Sequence, residues 1–106
     1  MKKQNLATPD AFQIMSASIH DAASVLKAMS SDTRLKILCA LNKEELPVSQ
    51  LAELTGQTSS AVSQHLTKLR SAGLVQSRRQ AQMIYYSSTD GVGKDIVGTL
   101  CKFYEK

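Results

Sequence analysis

Apolar positions from Phe12 onward run through Met15, Ile19, Ala22, Leu26 and Met29. Their alternating steps of three and four mark the seam of an amphipathic helix. Ser30 and Ser31 interrupt it and can cap a second helix, with Asp32 in the first turn, where a carboxylate is favoured. Over Thr33–Leu41 the side chains of Leu35, Ile37, Leu38, Cys39 and Leu41 surround the whole circumference, which predicts a central, buried helix. An acidic loop and Pro47 stop it. Val48–Thr55 then forms a short third helix with Leu51, Ala52 and Leu54 facing inward, ended by Gly56, a residue type that tolerates the left-handed conformation. Gln57 and Thr58 complete a turn, and a Ser/Thr-rich start opens a fourth helix over Ser59–Ala72, closed by Gly73.

After Gly73 the period falls to two. Leu74–Arg79 and Gln82–Ser87 read as two strands joined by a turn near Gln80-Ala81. Thr89 or Asp90 caps a last helix whose apolar positions are Val92, Ile96, Leu100 and Phe103. Gly91, Gly93 and Gly98 weaken that helix intrinsically, so packing against a partner has to hold it. Met1–Pro9 is polar and unpatterned and is expected to fray, which leaves 10–106 as one domain. The predicted fold is mainly α with a small β-hairpin, in the order α-α-α-α-β-β-α.

With 106 residues, 42% hydrophobic and 21% charged, the chain has the size and composition of one globular domain. Its longest apolar run is Ile37–Leu41, far short of the ~20 residues that cross a bilayer. A soluble, cytoplasmic protein without membrane contact is the expectation. Cys39 and Cys101 have no second cysteine at two-residue spacing, and the isolated His20 and His65 fit no metal-ligand pattern. There is no phosphate-binding glycine loop and no nucleophile elbow. Nothing calls for a metal or a cofactor, and the small size with these absences argues against an enzyme.

Charge is unevenly placed. Between Leu54 and Thr89 there is no acidic residue, whereas Lys68, Arg70, Arg78 and Arg79 supply the whole formal excess of +4. A basic region of this kind is the electrostatic footprint of a polyanion-binding surface. Two short helices separated by a turn containing glycine fit a helix-turn-helix, whose second helix enters the major groove. On the fourth helix Val62, Leu66, Leu69 and Gly73 share the core-facing arc. The opposite arc holds Ser60, Gln64, Thr67 and Ser71, with Ser63 and Lys68 on its flanks. All of these can hydrogen-bond and none is acidic, as suits groove reading rather than a merely solvated face. Ser60, Ser63, Gln64 and Thr67 are assigned to bases, and Lys68, Arg70, Arg78 and Arg79 to phosphates. Arg78 and Arg79 lie at the tip of the strand pair, a basic wing able to reach a flanking minor groove. Tyr85 and Tyr86 are expected to pack the hairpin onto the helices rather than stack on bases.

Leu26-Lys27-Ala28-Met29, Arg34-Leu35-Lys36-Ile37-Leu38, Thr58 through Arg70 with its Ser63-Gln64-His65-Leu66 core, Gly73-Leu74-Val75 and Arg78 through Ser87 together resemble the ArsR family of bacterial winged-helix repressors. The resemblance extends over about residues 22–104. Its strongest likeness is to the nodulation-repressor, haemolysin-regulator and persulfide-sensor branches. It implies a homodimer built by the first and last helices that binds double-stranded DNA at an imperfect palindrome. The terminal apolar stripes agree, since a monomer of this size cannot cover both.

The metal sites of the family are not matched. The place of its Cys-Val-Cys sequence reads Pro47-Val48-Ser49, and no histidine follows Thr89. His65 belongs to the Ser-Gln-His-Leu pattern and is expected to pack and hydrogen-bond. In thiol-sensing relatives one cysteine lies in the second helix, as Cys39 does, and another near the end of the last helix, at the place of Glu105. Cys101 is one turn earlier. Two alternatives stay open at this point. Either the pair senses a small-molecule, oxidant or reactive-sulfur effector, or Cys39 is a core residue and Cys101 an interface residue. A winged helix used only for protein docking is the rival from another functional class.

Overall fold

A computed structural model describes residues 9–105. Of the stretch expected to fray, Met1 to Thr8 lie outside the described residues, and Pro9 already opens a helix. The elements run α1 (Pro9–Met29), α2 (Asp32–Lys43), β1 (Leu46–Pro47), α3 (Val48–Thr55), α4 (Ser59–Ser71), β2 (Val75–Gln80), β3 (Met83–Ser88) and α5 (Val92–Tyr104). Proline suits the first position of α1, where an amide hydrogen would have no intrahelical acceptor. Ser31 caps α2, its hydroxyl accepting the Arg34 amide at 3.2 Å. Ile37, Leu38 and Leu41 of α2 are buried among Met29, Leu46, Leu51, Val62, Leu66, Leu69, Leu74, Val75 and Val97, so α2 is the central helix that its encircling apolar residues predict.

The hairpin is one part of a larger sheet. β1 is a third strand, pairing Leu46 with Tyr86 and Pro47 with Tyr85 in an antiparallel ladder of order β1-β3-β2. Two residues show no periodicity, which hides this strand in the sequence. Its proline is tolerated because the strand is at an edge. Both long strands start one residue later than expected, and the turn is at Ala81-Gln82, with Gln80 opposite Met83. Ala81, alone among the described non-glycine residues, takes a positive φ, 56°, as the first central residue of a type II′ hairpin turn does.

Three further expectations are corrected. Leu54 of α3 is 65% exposed. It lies three residues, or ~300° of rotation, from buried Leu51, and so slips off the core arc of a two-turn helix. Gly73 is exposed rather than core-facing, with φ of 76°, where it turns the chain out of α4. The cap of α5 is Gly91, with no side-chain cap bond, while Asp90 pairs with Lys94 at 3.2 Å. Gly93, a liability by helix propensity, is where α5 makes its closest approach, since a Cβ there would collide with the Leu74 side chain. Asn42 joins α2 to both neighbours. Its amide donates to the Lys94 carbonyl at 3.1 Å and its carbonyl accepts from the buried Ser88 hydroxyl at 2.6 Å.

The terminal helices keep their apolar stripes uncovered. Residues 10–24 of α1 are exposed, including Phe12, Met15 and Ile19, and α5 exposes Val92, Leu100 and Phe103. Ile96 instead packs against the core. The α1 arm stretches the molecule to 61 Å in its longest dimension.

Candidate nucleic-acid interface

The helix-turn-helix is built by short-range bonds. Gly56 ends α3 in the left-handed region, φ 68°, and the Gln57 amide donates to the Ala52 carbonyl at 3.2 Å. Thr58 caps α4, its hydroxyl accepting the Ala61 amide at 3.0 Å. Val62, Leu66 and Leu69 seal one side of α4 into the core. Ser60, Ser63, Gln64, Thr67, Lys68, Arg70 and Ser71 are all exposed. The hydroxyl of Thr67 donates to the Ser63 carbonyl at 3.0 Å and keeps its lone pairs free to accept. An open cavity of about 350 Å³ between α4 and β3 is lined by Leu66, Thr67, Arg70, Ser71 and Tyr86.

His65 sits half-buried at the side of this face, its Nδ1 3.4 Å from Arg34 Nη1. Arg34 also donates through Nε to the Ala28 carbonyl, so it ties the end of α1 and the start of α2 to α4. Burial, and then the charges of Arg34 and Lys68, hold the His65 pKa below its ordinary 6.5. The neutral ring packs and accepts, as expected.

The two wing arginines differ. Arg79 donates through Nε to the Ala81 carbonyl in the turn, at 3.2 Å. Arg78 is not free at the tip as the sequence suggested. Its Nε donates to both carboxylate oxygens of Glu45, at 3.0 and 2.8 Å. This pairing holds the Glu45 carboxyl below its ordinary pKa range. Glu45 lies outside the acid-free window, so no local signal could have revealed it. Tyr86 packs against the core as expected, whereas Tyr85 lies beneath the Arg78 guanidinium within the sheet.

Away from this face, Cys39 and Cys101 are both half-buried, free thiols on α2 and α5. They are close enough to hydrogen-bond. Burial first, and then the Cys101 thiol, push the Cys39 pKa up to about 11. Among the described residues no three His, Cys, Asp or Glu side chains gather into a metal cluster, and no helix is long and apolar enough to cross a membrane.

This helix-turn-helix coincides with a family match. The model of the arsR family of bacterial regulatory proteins matches residues 31–77. Nodulation protein NolR of Rhizobium meliloti is 49% identical over 83 residues, covering 78% of this chain and 68% of NolR. The chain belongs to the ArsR family. It is a winged helix-turn-helix transcriptional regulator. The family likeness extends through the fold. Reduced HlyU of Vibrio cholerae superposes with a TM-score of 0.83 at 37% identity, covering 89% of this chain and 99% of HlyU. A homodimeric winged helix-turn-helix DNA-binding domain from Mycobacterium bovis matches with a TM-score of 0.75 at 30% identity, covering 83% of this chain and 82% of that one.

Proposed function

We propose that this ArsR-family chain acts as a homodimeric repressor that binds a palindromic promoter site. The observation that carries this reading is the exposed arc of α4. Ser60, Ser63, Gln64, Thr67, Lys68 and Ser71 face outward without a carboxylate, while Val62, Leu66 and Leu69 anchor the same helix. Gln64 reads an adenine edge, Ser60, Ser63 and Thr67 adapt to neighbouring edges, and Lys68, Arg70 and Arg79 meet phosphates. The uncovered stripes of α1 and α5 form the dimer contact, which places two copies of α4 one duplex turn, about 34 Å, apart. Repression follows from occupying a site that polymerase or an activating protein would otherwise use.

Footprinting on the chain's own upstream region tests the reading, together with a salt titration. About six phosphates neutralised per dimer give a slope of log K against log salt near −5. Replacing Gln64 by Ala is expected to weaken the footprinted site by about 1–3 kcal/mol and leave random duplex nearly unchanged. Equal loss on both duplexes removes Gln64 from base reading. A flat salt response favours a protein-docking module.

The contact between Cys39 and Cys101 favours a second reading, in which an oxidant or reactive-sulfur effector joins α2 to α5 and alters the dimer. Comparing operator binding by reduced and persulfide-treated protein tests it, and unchanged affinity removes it.

A further inference from the structure

The fold separates two arginines that are neighbours in the chain. Successive strand residues point to opposite faces of a sheet, so Arg78 and Arg79 leave β2 on different sides. Arg78 stands across from Tyr85 on the central strand β3, its guanidinium carbon 5.1 Å from the ring centroid. Its Nε donates to both oxygens of Glu45, at 3.0 and 2.8 Å, and its Nη1 donates to Gln80 Oε1 at 2.8 Å. Glu45 immediately precedes β1, the edge strand on the far side of β3. The pair therefore straps one edge of the sheet to the other across its central strand. Arg79 forms no ion pair among the described residues; its Nε donates to a turn carbonyl.

We infer that Glu45 is a specificity-determining residue for duplex binding: its carboxylate holds Arg78 in the sheet, so that Arg79 alone of the two meets a phosphate. This rests on the duplex-binding function proposed above. A phosphate and the Glu45 carboxylate compete for the same guanidinium donors, and the carboxylate is already seated. Phosphate contacts supply the sequence-independent part of affinity. Withholding one per protomer lowers binding to random duplex while leaving the contacts of α4 with base edges in place. The ratio of specific to non-specific binding rises accordingly.

The test is the salt dependence of binding to a random-sequence duplex, measured for the full chain and for Glu45→Gln, Glu44→Gln and the double variant Glu45→Gln/Arg78→Gln. Glu44→Gln makes the same change of charge one residue away, at a side chain that forms no ion pair with Arg78. Freeing Arg78 in both protomers adds about two phosphate contacts, which steepens the slope by about 1.8, toward −7. Between 50 and 200 mM salt, E45Q then loses about 12-fold more affinity than the unaltered protein. At the lower salt it binds more tightly than either the unaltered protein or E44Q, and the gain disappears in the double variant. Loss of a structural strap alone would not tighten binding. If E45Q behaves like E44Q, or if its gain survives removal of Arg78, Glu45 has no such role. If the unaltered chain binds no duplex at any salt concentration, the duplex-binding function falls, and the role of Glu45 with it.

Discussion

Cys39 should react slowly as a thiol, and the pH dependence of that slowness identifies its cause. Burial is the largest contribution, and the hydrogen bond with Cys101 the next, in moving its pKa from an ordinary 9.0 to about 11. Since only the thiolate attacks, a displacement of this size reduces the reactive fraction at neutral pH about 100-fold. A more basic thiolate is also a better nucleophile, and a Brønsted slope of about 0.45 returns roughly 8-fold of that loss. The net expectation is alkylation about 10-fold slower than in the urea-unfolded chain. The assay is iodoacetamide labelling at pH 7 to 10, with Cys39 followed separately by peptide mass spectrometry. In the folded chain the rate keeps rising about tenfold per pH unit up to pH 10, whereas in the unfolded chain it levels off near pH 9. Restricted access alone would slow every pH equally and leave the profile shape unchanged. Cys101→Ala removes the hydrogen bond but not the burial, so the rate recovers in part. A folded-state profile that levels off near pH 9 would refute the account.

Two other expectations follow from uncovered and buried groups. Ile19 on the α1 stripe is 53% exposed; if a partner buries the remainder, each copy contributes about half of the ~1.5–3 kcal/mol of a buried aliphatic side chain. Ile19→Asp should therefore raise the dimer dissociation constant by at least 10- to 100-fold by sedimentation equilibrium, and an unchanged constant would place the interface elsewhere. For His65, the folded pKa lies below the unfolded 6.5, so the unfolded chain binds the proton more readily. Its contribution to stability is present above pH 6.5 and is lost as the pH falls through the folded value. Urea denaturation at stepped pH should show this loss, and His65→Gln should flatten it; an identical pH profile in the variant would count against the ring's being held neutral.

The local elements were readable because each obeys a short-range rule. The α1 seam, the Ser31 cap, the glycine after α3 and the four- and three-residue steps between Val62, Leu66 and Leu69 all act within a turn or two of chain. The outward arc of α4 was legible for the same reason, because fixing one side of a helix fixes the other. Where periodicity is weak, the local pattern points to the wrong residue. Leu54 looks like a core residue in sequence because α3 is too short to define its arc, and Thr89 or Asp90 has the chemistry to cap α5 although Gly91 occupies that position.

Chain order and side-chain chemistry were enough to specify a winged helix-turn-helix whose fourth helix exposes a carboxylate-free arc, with two unsated terminal stripes. Folding in space decided which charges and thiols meet. Glu45 reaches Arg78 over 33 residues of sequence, Cys39 finds Cys101 across the α2–α5 contact, and β1 exists because β3 offers it an edge. These pairings depend on how helices and strands pack, and no periodicity along the chain records the distance between residues so far apart.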